Sequence, residues 1–590
     1  MKSFFKTALA CLVGVLLAGL ISTAFYTCTF VSMVSALSSS ETTATKPGDV
    51  MVLKINGPVD EKEADLPFSF DVMNGFVLNS NLSLCQILQS IDAAKADKNI
   101  AGIYLSTDGM EAAPATYDAI RSKLEDYKAA TGKFVIAYND SYSAAQYYLA
   151  TVADSLYLNP IGVIDFNGMS TVVPYYKGLL DKLGIDMQIF RVGTFKSAVE
   201  PFMLERMSQA NRLQTETYLK SIWNTMVKQI SAARGIDVAR LNALADEGVG
   251  YMQPDEIMAT GLVTSLKYRS EMETVLEQQT GLPFHGVTAK QLVDNQNALP
   301  AYDARPQVAV LYAAGEIAST AEDASGNIWY KDLVPEIEKL RKDNNVKAVV
   351  LRVNSPGGSA FASEQIWKAL VDLKASGKPL VVSMGDYAAS GGYYISCPAD
   401  WIVAEPTTLT GSIGVFGMIP NFGPLATQKF GINFEEVKTN ELGILTIVRA
   451  ASPIEKIKIQ KGINHTYDLF LTRCADGRKV SKETIAKVAE GRVWTGENAL
   501  EIGLVDQLGG VNVAINKAAE LLGLSSSAVS VKNYPAADTG FESILKQFNE
   551  DVTLRISDYV LGTDRYTIDF VGRLKREDQI QARCLYQVVL

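Results

Sequence analysis

The sequence predicts an α/β protein that contains two copies of one domain. Short apolar, β-branched runs alternate with helical patterns along most of the chain, which is typical of βαβ units with mostly parallel strands. The order of motifs also repeats, since residues 97–109, 131–169 and 230–266 resemble residues 343–358, 376–418 and 471–510. A length of 590 residues is more than one hydrophobic core usually covers, and this agrees with a duplicated domain.

Residues 1–40 are predicted to form a short cytoplasmic tip and a membrane anchor. Lys2 and Lys6 precede a stretch, from Thr7 to Ser40, without any Asp, Glu, Lys or Arg. A membrane-spanning helix needs about 20 apolar residues and the core of a cleaved signal peptide about 7–15, so the length favours a retained anchor over a cleaved signal peptide. In either case the basic end stays in the cytoplasm and the rest of the chain is exported.

The remaining boundaries follow from the order of the elements. The first copy is predicted over residues 41–268, and residues 269–305, rich in Gln, Asn and Pro, are predicted as a partly helical linker. The second copy covers residues 306–535, and residues 536–590 form a C-terminal extension. In the second copy we predict buried strands at residues 308–315, 347–353, 379–385 and 400–405, with helices at 364–377 and 389–399.

The composition excludes several kinds of function. The net charge is −10 and no stretch is rich in Lys or Arg, so we expect no nucleic-acid partner. Two histidines nearly exclude a multi-His metal site, and the six cysteines lack CxxC spacing, so we expect neither a metal nor a cofactor. A Ser-His-Asp triad would have to use His285 or His465.

A duplicated scaffold keeps its core pattern in both copies, so chemistry is best sought where the copies differ. The first difference follows the strand at 347–353, where Gly357 and Gly358 stand in a loop that reads Asp108-Gly109 in the first copy. Consecutive glycines let backbone N–H groups approach a ligand closely and form an oxyanion nest. The alternative is an ordinary Pro-Gly turn.

The second difference is a serine between a strand and a helix. Ser390 follows the strand at 379–385, and the Tyr-Tyr pairs of the two copies align it with Ala144. A serine at such a turn is exposed at a helix N-terminus, where backbone N–H groups stabilise negative charge, as in a nucleophile elbow. The alternative is a serine that only caps the helix.

The third difference is Lys196, which has no counterpart in the second copy; the alternative is a solvated surface lysine. Lysine acts as a general base when burial or a cationic neighbour lowers its pKa from about 10.4 toward 7–8, so Lys196 would have to lie desolvated in a cleft. One copy thus supplies a nucleophile and the other a base. Such Ser-Lys pairs need no histidine.

Together these motifs resemble the tandem-repeat form of the signal peptide peptidase A family, also called protease IV. The shared features are the N-terminal anchor, GTFKSAVEPF around Lys196 in the first copy, and SPGG and AASGGYY in the second. The resemblance covers most of the chain and implies two ClpP/crotonase-like domains. It also implies that Ser390 is the nucleophile and Lys196 the general base of a serine endopeptidase.

Supporting residues and partners follow from the same resemblance. It implies that Ser412 orients the lysine, and that Gly391 N–H and one of Gly357 or Gly358 form the oxyanion hole. It further implies that the substrates are signal-peptide remnants and other unfolded peptides, and that the protein is a homotetramer. The catalytic part would lie on the periplasmic side of the bacterial inner membrane.

Three other interpretations remain open from the sequence. A crotonase-like enzyme acting on acyl-CoA would also use backbone N–H pairs, to stabilise an enolate oxygen. A non-catalytic membrane scaffold is the second, because the first copy lacks the serine. The third is a hydrolase based on His285 or His465, although both histidines are better interpreted as surface residues.

Overall fold

The computed structural model describes residues 44–63, 68–71, 75–78, 81–297, 305–321, 323, 326–535 and 581–583. The predicted anchor over residues 1–40 lies outside these ranges. Within them, no helix is both long enough and apolar enough to cross a membrane. The described chain is a mixed α/β protein, as predicted.

The described part of the first half contains thirteen strands, six of which form one parallel sheet. Its strands are β1 (Asp49–Lys54), β2 (Gly57–Pro58), β3 (Phe68–Asp71), β4 (Gly75–Leu78), β5 (Ile100–Ser106), β6 (Met110–Glu111), β7 (Phe134–Asn139), β8 (Tyr142–Ser143), β9 (Ser155–Leu158), β10 (Ile164–Asp165), β11 (Asp186–Val192), β12 (Ser265–Leu266) and β13 (Gly286–Thr288). The sheet has the order β12-β9-β7-β5-β1-β13, and every neighbouring pair in it is parallel. Two parallel neighbouring strands must be joined by a long crossover connection, which is usually an α-helix.

The helices of the first half cover both faces of that sheet. They are α1 (Leu84–Ala96), α2 (Pro114–Thr131), α3 (Ala144–Ala150), α4 (Lys177–Leu183), α5 (Glu200–Met203), α6 (Gln209–Arg234), α7 (Val238–Glu247), α8 (Pro254–Ala259), α9 (Met272–Thr280) and α10 (Ala289–Asn297). Most of them, including α1 to α3, pack on one face, whereas Met272 and Leu276 of α9 pack on the other. Sequence signals set the helix ends: Ser83 and Gln86 form a capping box at α1, and Gly132 ends α2 at φ 67°.

The segment predicted as a linker is more ordered than expected. Residues 269–297 contain α9, β13 and α10; β13 extends the first sheet beside β1, and Leu292 of α10 joins the core that α1 covers. This part of the segment therefore packs as an integral part of the first half. Residues 298–304 lie outside the described ranges, and the predicted domain boundaries stay predictions.

The second half repeats this plan, and its described part contains thirteen strands, eight of which form one sheet. Its strands are β14 (Gln307–Ala314), β15 (Ile317–Ala318), β16 (Ile328–Trp329), β17 (Val346–Ser355), β18 (Gly357–Ser359), β19 (Leu380–Ala389), β20 (Trp401–Ala404), β21 (Leu409–Gly411), β22 (Val415–Asn421), β23 (Val493–Thr495), β24 (Gln507–Leu508), β25 (Ser530–Tyr534) and β26 (Gln581–Arg583). The order is β23-β21-β19-β17-β14-β25, with β20 beside β19 and β24 beside β20. Only β23 runs antiparallel to its neighbour within this sheet.

Helices again cover both faces of the second sheet. They are α11 (Tyr330–Lys342), α12 (Ala360–Ala375), α13 (Gly391–Ser396), α14 (Pro453–Arg478), α15 (Lys482–Val488), α16 (Gly496–Glu501) and α17 (Val511–Leu521). Ala514, Ala518 and Ala519 of α17 pack on one face, and most of the others lie on the opposite face. Most residues of β14 and β17 are buried, because both faces of these strands are covered.

A third sheet joins the two halves. Strand β11 of the first half pairs antiparallel with β22 of the second half, from Asp186 opposite Asn421 to Val192 opposite Val415. Phe190 of β11 belongs to the hydrophobic core of the second half. Because Lys196 follows β11 and Ser412 precedes β22, this pairing brings the loop of the first half to the serines of the second.

Candidate active site

Ser390 lies at the junction of β19 and α13 in a conformation that is rare for a residue with a side chain. Its φ and ψ angles are 56° and −114°, and its side chain is fully buried. Its backbone N–H donates to Gly411 O at 2.8 Å, and Oγ makes no capping bond to α13. Strained backbone of this kind is concentrated at functional sites, because the surrounding structure must impose it.

The corresponding helix of the first half shows the contrast. Ser143 precedes α3 with ordinary extended backbone, and its Oγ accepts the N–H of Gln146 at 3.2 Å in a capping box. The serine that only caps a helix is thus found in the first half. Ser390 at the start of α13 does not act as such a cap.

Lys196 reaches Ser390 from the other half of the same chain. Its side chain is 1% exposed, so it is not a solvated surface lysine. Its Nζ lies 2.7 Å from Ser390 Oγ, 3.1 Å from Ser412 Oγ and 3.2 Å from Ser412 O. The two hydrogens of a neutral amine directed at the Ser412 oxygens would leave the nitrogen lone pair facing Ser390 Oγ. The structure therefore brings Lys196, Ser390 and Ser412 together within one chain.

The loop that carries Lys196 is pressed against the second half at two glycines. Gly193 has φ 108°, and a Cβ there would lie 2.4 Å from Glu490 O. Gly491 has φ 76°, and a Cβ there would lie 2.6 Å from Lys196 Cβ. Phe195 N–H donates to Glu490 O at 2.9 Å. Backbone approaches this close require glycine, and they fix the base of the lysine side chain against the second half.

Ser412 is also held in left-handed backbone, at φ 49°. Its N–H donates to Arg492 O at 2.7 Å. A Cβ on Gly414 would lie 3.2 Å from Lys196 Cδ, so the chain just after Ser412 packs along the lysine stem. These contacts fit the predicted role of orienting the lysine, which stays a prediction.

The three glycines expected in the oxyanion hole lie on two segments that touch each other. Gly391 is the first residue of α13, and Gly357 and Gly358 begin β18 with φ 107° and 151°. A Cβ on Gly392 would lie 2.6 Å from Ser355 O, so the start of α13 lies directly against the end of β17. Gly357 N–H donates to Ser355 Oγ at 3.2 Å.

Strand β18 has two neighbours in the structure. Gly358 lies opposite Ile317 of β15 and opposite Ala582 of β26, which pairs antiparallel with β18. The glycine segment is therefore an interior strand of the third sheet rather than a simple Pro-Gly turn.

The equivalent region of the first half is an open polar cleft of about 770 Å³. Asp108, Ser141 and Ser143 line it, and Arg269 bridges Asp108 and Asp140 across it. Neither of the two histidines joins the Ser-Lys cluster: His285 Nδ1 lies 2.8 Å from Asp49 Oδ1, and His465 is an exposed residue of α14. Among the described residues, no group of three or more His, Cys, Asp or Glu side chains is arranged to hold a metal ion.

Gln214 of α6 contributes to the surroundings of Lys196, and the sequence did not predict it. It is fully buried and contacts both neighbours of Lys196. In one sequence, nothing distinguishes this glutamine from the other polar positions of the 26-residue helix.

Comparison with known proteins identifies the family. The sequence profile of Peptidase family S49 matches residues 128–283 and 372–525, one stretch in each half. The chain belongs to peptidase family S49. "Protease 4" of Haemophilus influenzae is 38% identical over 507 residues, which is 82% of this chain and 80% of that protein. "Serine protease SPPA, chloroplastic" of Arabidopsis thaliana is 28% identical over 537 residues, 86% of this chain and 74% of that protein.

These S49 relatives confirm the family resemblance stated from the sequence, and the protein is a serine-type peptidase. Among solved structures, a membrane-bound stomatin-specific protease in complex with a substrate peptide is 18% identical. The match covers 42% of this chain and 99% of the chain of that protease, with a TM-score of 0.27.

Proposed function

We propose that the chain is a membrane-anchored S49 endopeptidase in which Ser390 is the nucleophile and Lys196 the general base. The observation that carries the proposal is the 2.7 Å separation of Lys196 Nζ and Ser390 Oγ, both buried, at the meeting point of the two halves. Burial disfavours the ammonium form of a lysine, which is the form that cannot act as a base. The proposal includes ClpP/crotonase-like repeats and signal-peptide remnants or other unfolded peptides as substrates.

The proposed reaction has two steps. Neutral Lys196 takes the proton of Ser390 as Oγ attacks the peptide carbonyl, and N–H groups of Gly391 and of Gly357 or Gly358 stabilise the oxyanion. The lysine ammonium then gives its proton to the leaving amine, which breaks the C–N bond. Water, deprotonated by the same lysine, hydrolyses the acyl-enzyme and restores both side chains.

A fluorophosphonate probe and a fluorogenic unstructured peptide test the dyad. We expect the probe to label Ser390, as located by mass spectrometry, and Ser390→Ala and Lys196→Ala each to reduce kcat by about 10⁴-fold or more. The matched control is Ser143→Ala, at the start of the equivalent helix of the first half, which should keep its activity. Full peptidase activity in Lys196→Ala, or labelling of another serine instead, would refute the assignment.

The same proposal includes a homotetramer in the bacterial inner membrane. Its catalytic part would lie in the periplasm. The homotetramer is supported by residues 433–439, the counterpart of β11 in the second half, which are exposed and without a strand partner in the described chain. Phe430 and Val437 beside and within it are 69% and 98% exposed. Exposed apolar patches of this kind mark interaction surfaces.

Val437→Glu tests the assembly, with mass measured by light scattering on the detergent-solubilised full chain. We expect the wild type to form a tetramer and the variant to dissociate to smaller species. A monomeric wild type would refute the oligomer without affecting the dyad.

A further inference from the structure

We propose that Gln214 is the positioning residue that holds Lys196 in line with Ser390. The inference rests on the Ser-Lys function proposed above and adds a residue from a third element, α6. Gln214 acts through its neighbours and not on the substrate.

Gln214 bonds to the residues immediately before and after Lys196 in the sequence. Its Nε2 donates to Phe195 O at 3.0 Å and to Ser197 Oγ at 2.8 Å, the residues immediately before and after Lys196. Nε2 also lies 3.2 Å from Asn211 Oδ1, one turn earlier on α6. The side chain is 0% exposed, so water cannot replace these bonds if they are lost.

The carbonyl end of the same amide reaches the second half of the chain. Gln214 Oε1 accepts the N–H of Val493 at 3.2 Å. That donor fixes the amide orientation, because only the oxygen can accept a hydrogen bond from the backbone N–H. Nε2 must then face the lysine loop.

Val493 belongs to the strand pair that carries the serines. It lies in β23 opposite Gly411 of β21, and Gly411 O accepts the N–H of Ser390. Ser412 directly follows Gly411. One amide side chain therefore connects the backbone around the base to the backbone around the nucleophile, across the boundary between the halves.

The consequence is a geometric requirement on catalysis. Proton transfer needs the lysine nitrogen within hydrogen-bond distance of the serine oxygen, and a displacement of about 1 Å can cost about 100-fold in rate. Lys196 has a long, flexible stem, so its position depends on how firmly its backbone is held. Loss of Gln214 should lower kcat and leave KM nearly unchanged, because Gln214 is fully buried and bonds to the protein backbone around the site.

The test uses two substitutions and one matched control in the full-length protein. Gln214→Met removes all polar contacts at similar volume, and we expect kcat to fall about 10–100-fold with KM within about twofold. Gln214→Glu keeps an acceptor for Val493 N–H but places a carboxylate beside the lysine loop. It should move the rise of kcat/KM to higher pH, because a nearby negative charge stabilises the lysine ammonium.

Gln188 supplies the control. It is a buried glutamine of β11, and its Oε1 accepts the N–H of Ala451 at 2.7 Å, so it also joins the two halves. Gln188→Met removes an equivalent bond on the same strand-to-loop segment without touching the neighbours of Lys196. It should lower stability but leave kcat and the pH profile unchanged.

The outcomes separate this proposal from the one it rests on. An active Lys196→Ala variant would refute the dyad itself. An inactive Lys196→Ala variant with Gln214→Met and Gln214→Glu both matching Gln188→Met in kcat and in pH profile would refute the positioning role alone. If Gln214→Met does not fold, the pH profile of Gln214→Glu decides, and an unshifted profile overturns the proposal.

Discussion

The buried carboxyl group of Glu405 is predicted to make the folded protein less stable as the pH rises from about 5 to 8. Glu405 follows β20 and is 2% exposed. Burial raises the pKa of its carboxyl group to about 8, and the nearby Asp118 carboxylate adds to the rise. Asp386 and Glu61 act in the same direction, and the Arg352 guanidinium opposes them. The group is therefore protonated in the folded protein at neutral pH.

The sign and the size of the effect follow from proton linkage. An unfolded chain releases this proton near the ordinary value of 4.5, whereas the folded chain holds it until about pH 8. Between these pH values the folded state binds more protons than the unfolded state. The contribution of the protonated Glu405 carboxyl group to the free energy of unfolding is therefore complete below pH 4.5 and is lost as the pH rises through 8. The difference in pKa corresponds to a loss of at most about 5 kcal/mol from the free energy of unfolding.

Glu405→Gln isolates this contribution because glutamine has a similar shape and does not titrate. We expect the variant to gain stability over the wild type by several kcal/mol between pH 5 and pH 9, measured by urea unfolding at one-unit steps. Glu501→Gln, at an exposed carboxylate of α16, is the control and should show no such trend. If the difference between Glu405→Gln and the wild type stays constant within about 1 kcal/mol across this range, Glu405 is already ionised in the folded protein and the reasoning is wrong.

Three further predictions concern stability and the lysine loop. Glu61→Ala leaves the Arg352 guanidinium, now bonded bidentately at 2.9 and 3.0 Å, buried without its carboxylate, and should cost about 3–5 kcal/mol in urea unfolding; a cost below 1 kcal/mol would contradict this. Gly491→Ala places a Cβ 2.6 Å from Lys196 Cβ at φ 76°, and should reduce kcat while circular dichroism stays unchanged. Ser452→Ala removes the capping box of α14 and should cost about 1 kcal/mol, seen as a lower Tm; an unchanged Tm would show that the cap is replaced.

The predicted strands of the second copy agree with β14, β17, β19 and β20, because continuous β-branched runs buried on both faces are a strong signal. The main difference is the length of β19, which extends from the predicted end at Gly385 to Ala389. Asp386 interrupts the apolar run, so a strand is not expected to continue there. In the structure its carboxylate accepts the N–H and the hydroxyl of Thr116 from the first half, and β21 pairs with the extension. Tertiary contacts outside the segment therefore decide its conformation.

For the candidate site too, the sequence predicts the residues, whereas contacts between distant parts of the chain determine their arrangement. Comparison of the two copies predicts Ser390 and Lys196, because a polar residue without a counterpart stands out in a duplicated scaffold. Their distance was not predictable, since it depends on the pairing of β11 with β22, and neither strand carries a signal for its partner. Gln214 is not predictable for a similar reason, because its role depends on tertiary contacts with Phe195, Ser197 and Val493.

The same pairing gives a physical reason for the division of the dyad between the copies. A single chain can join β11 of the first half to β22 of the second half only once. The reverse pairing, of residues 433–439 with the region after β10, does not occur within the described chain, where both segments lack a strand partner. A lysine in the second copy would therefore meet a serine of the first copy only across a contact between chains. Only the base of the first copy and the nucleophile of the second copy meet in every folded chain, and these are the two positions that hold Lys196 and Ser390.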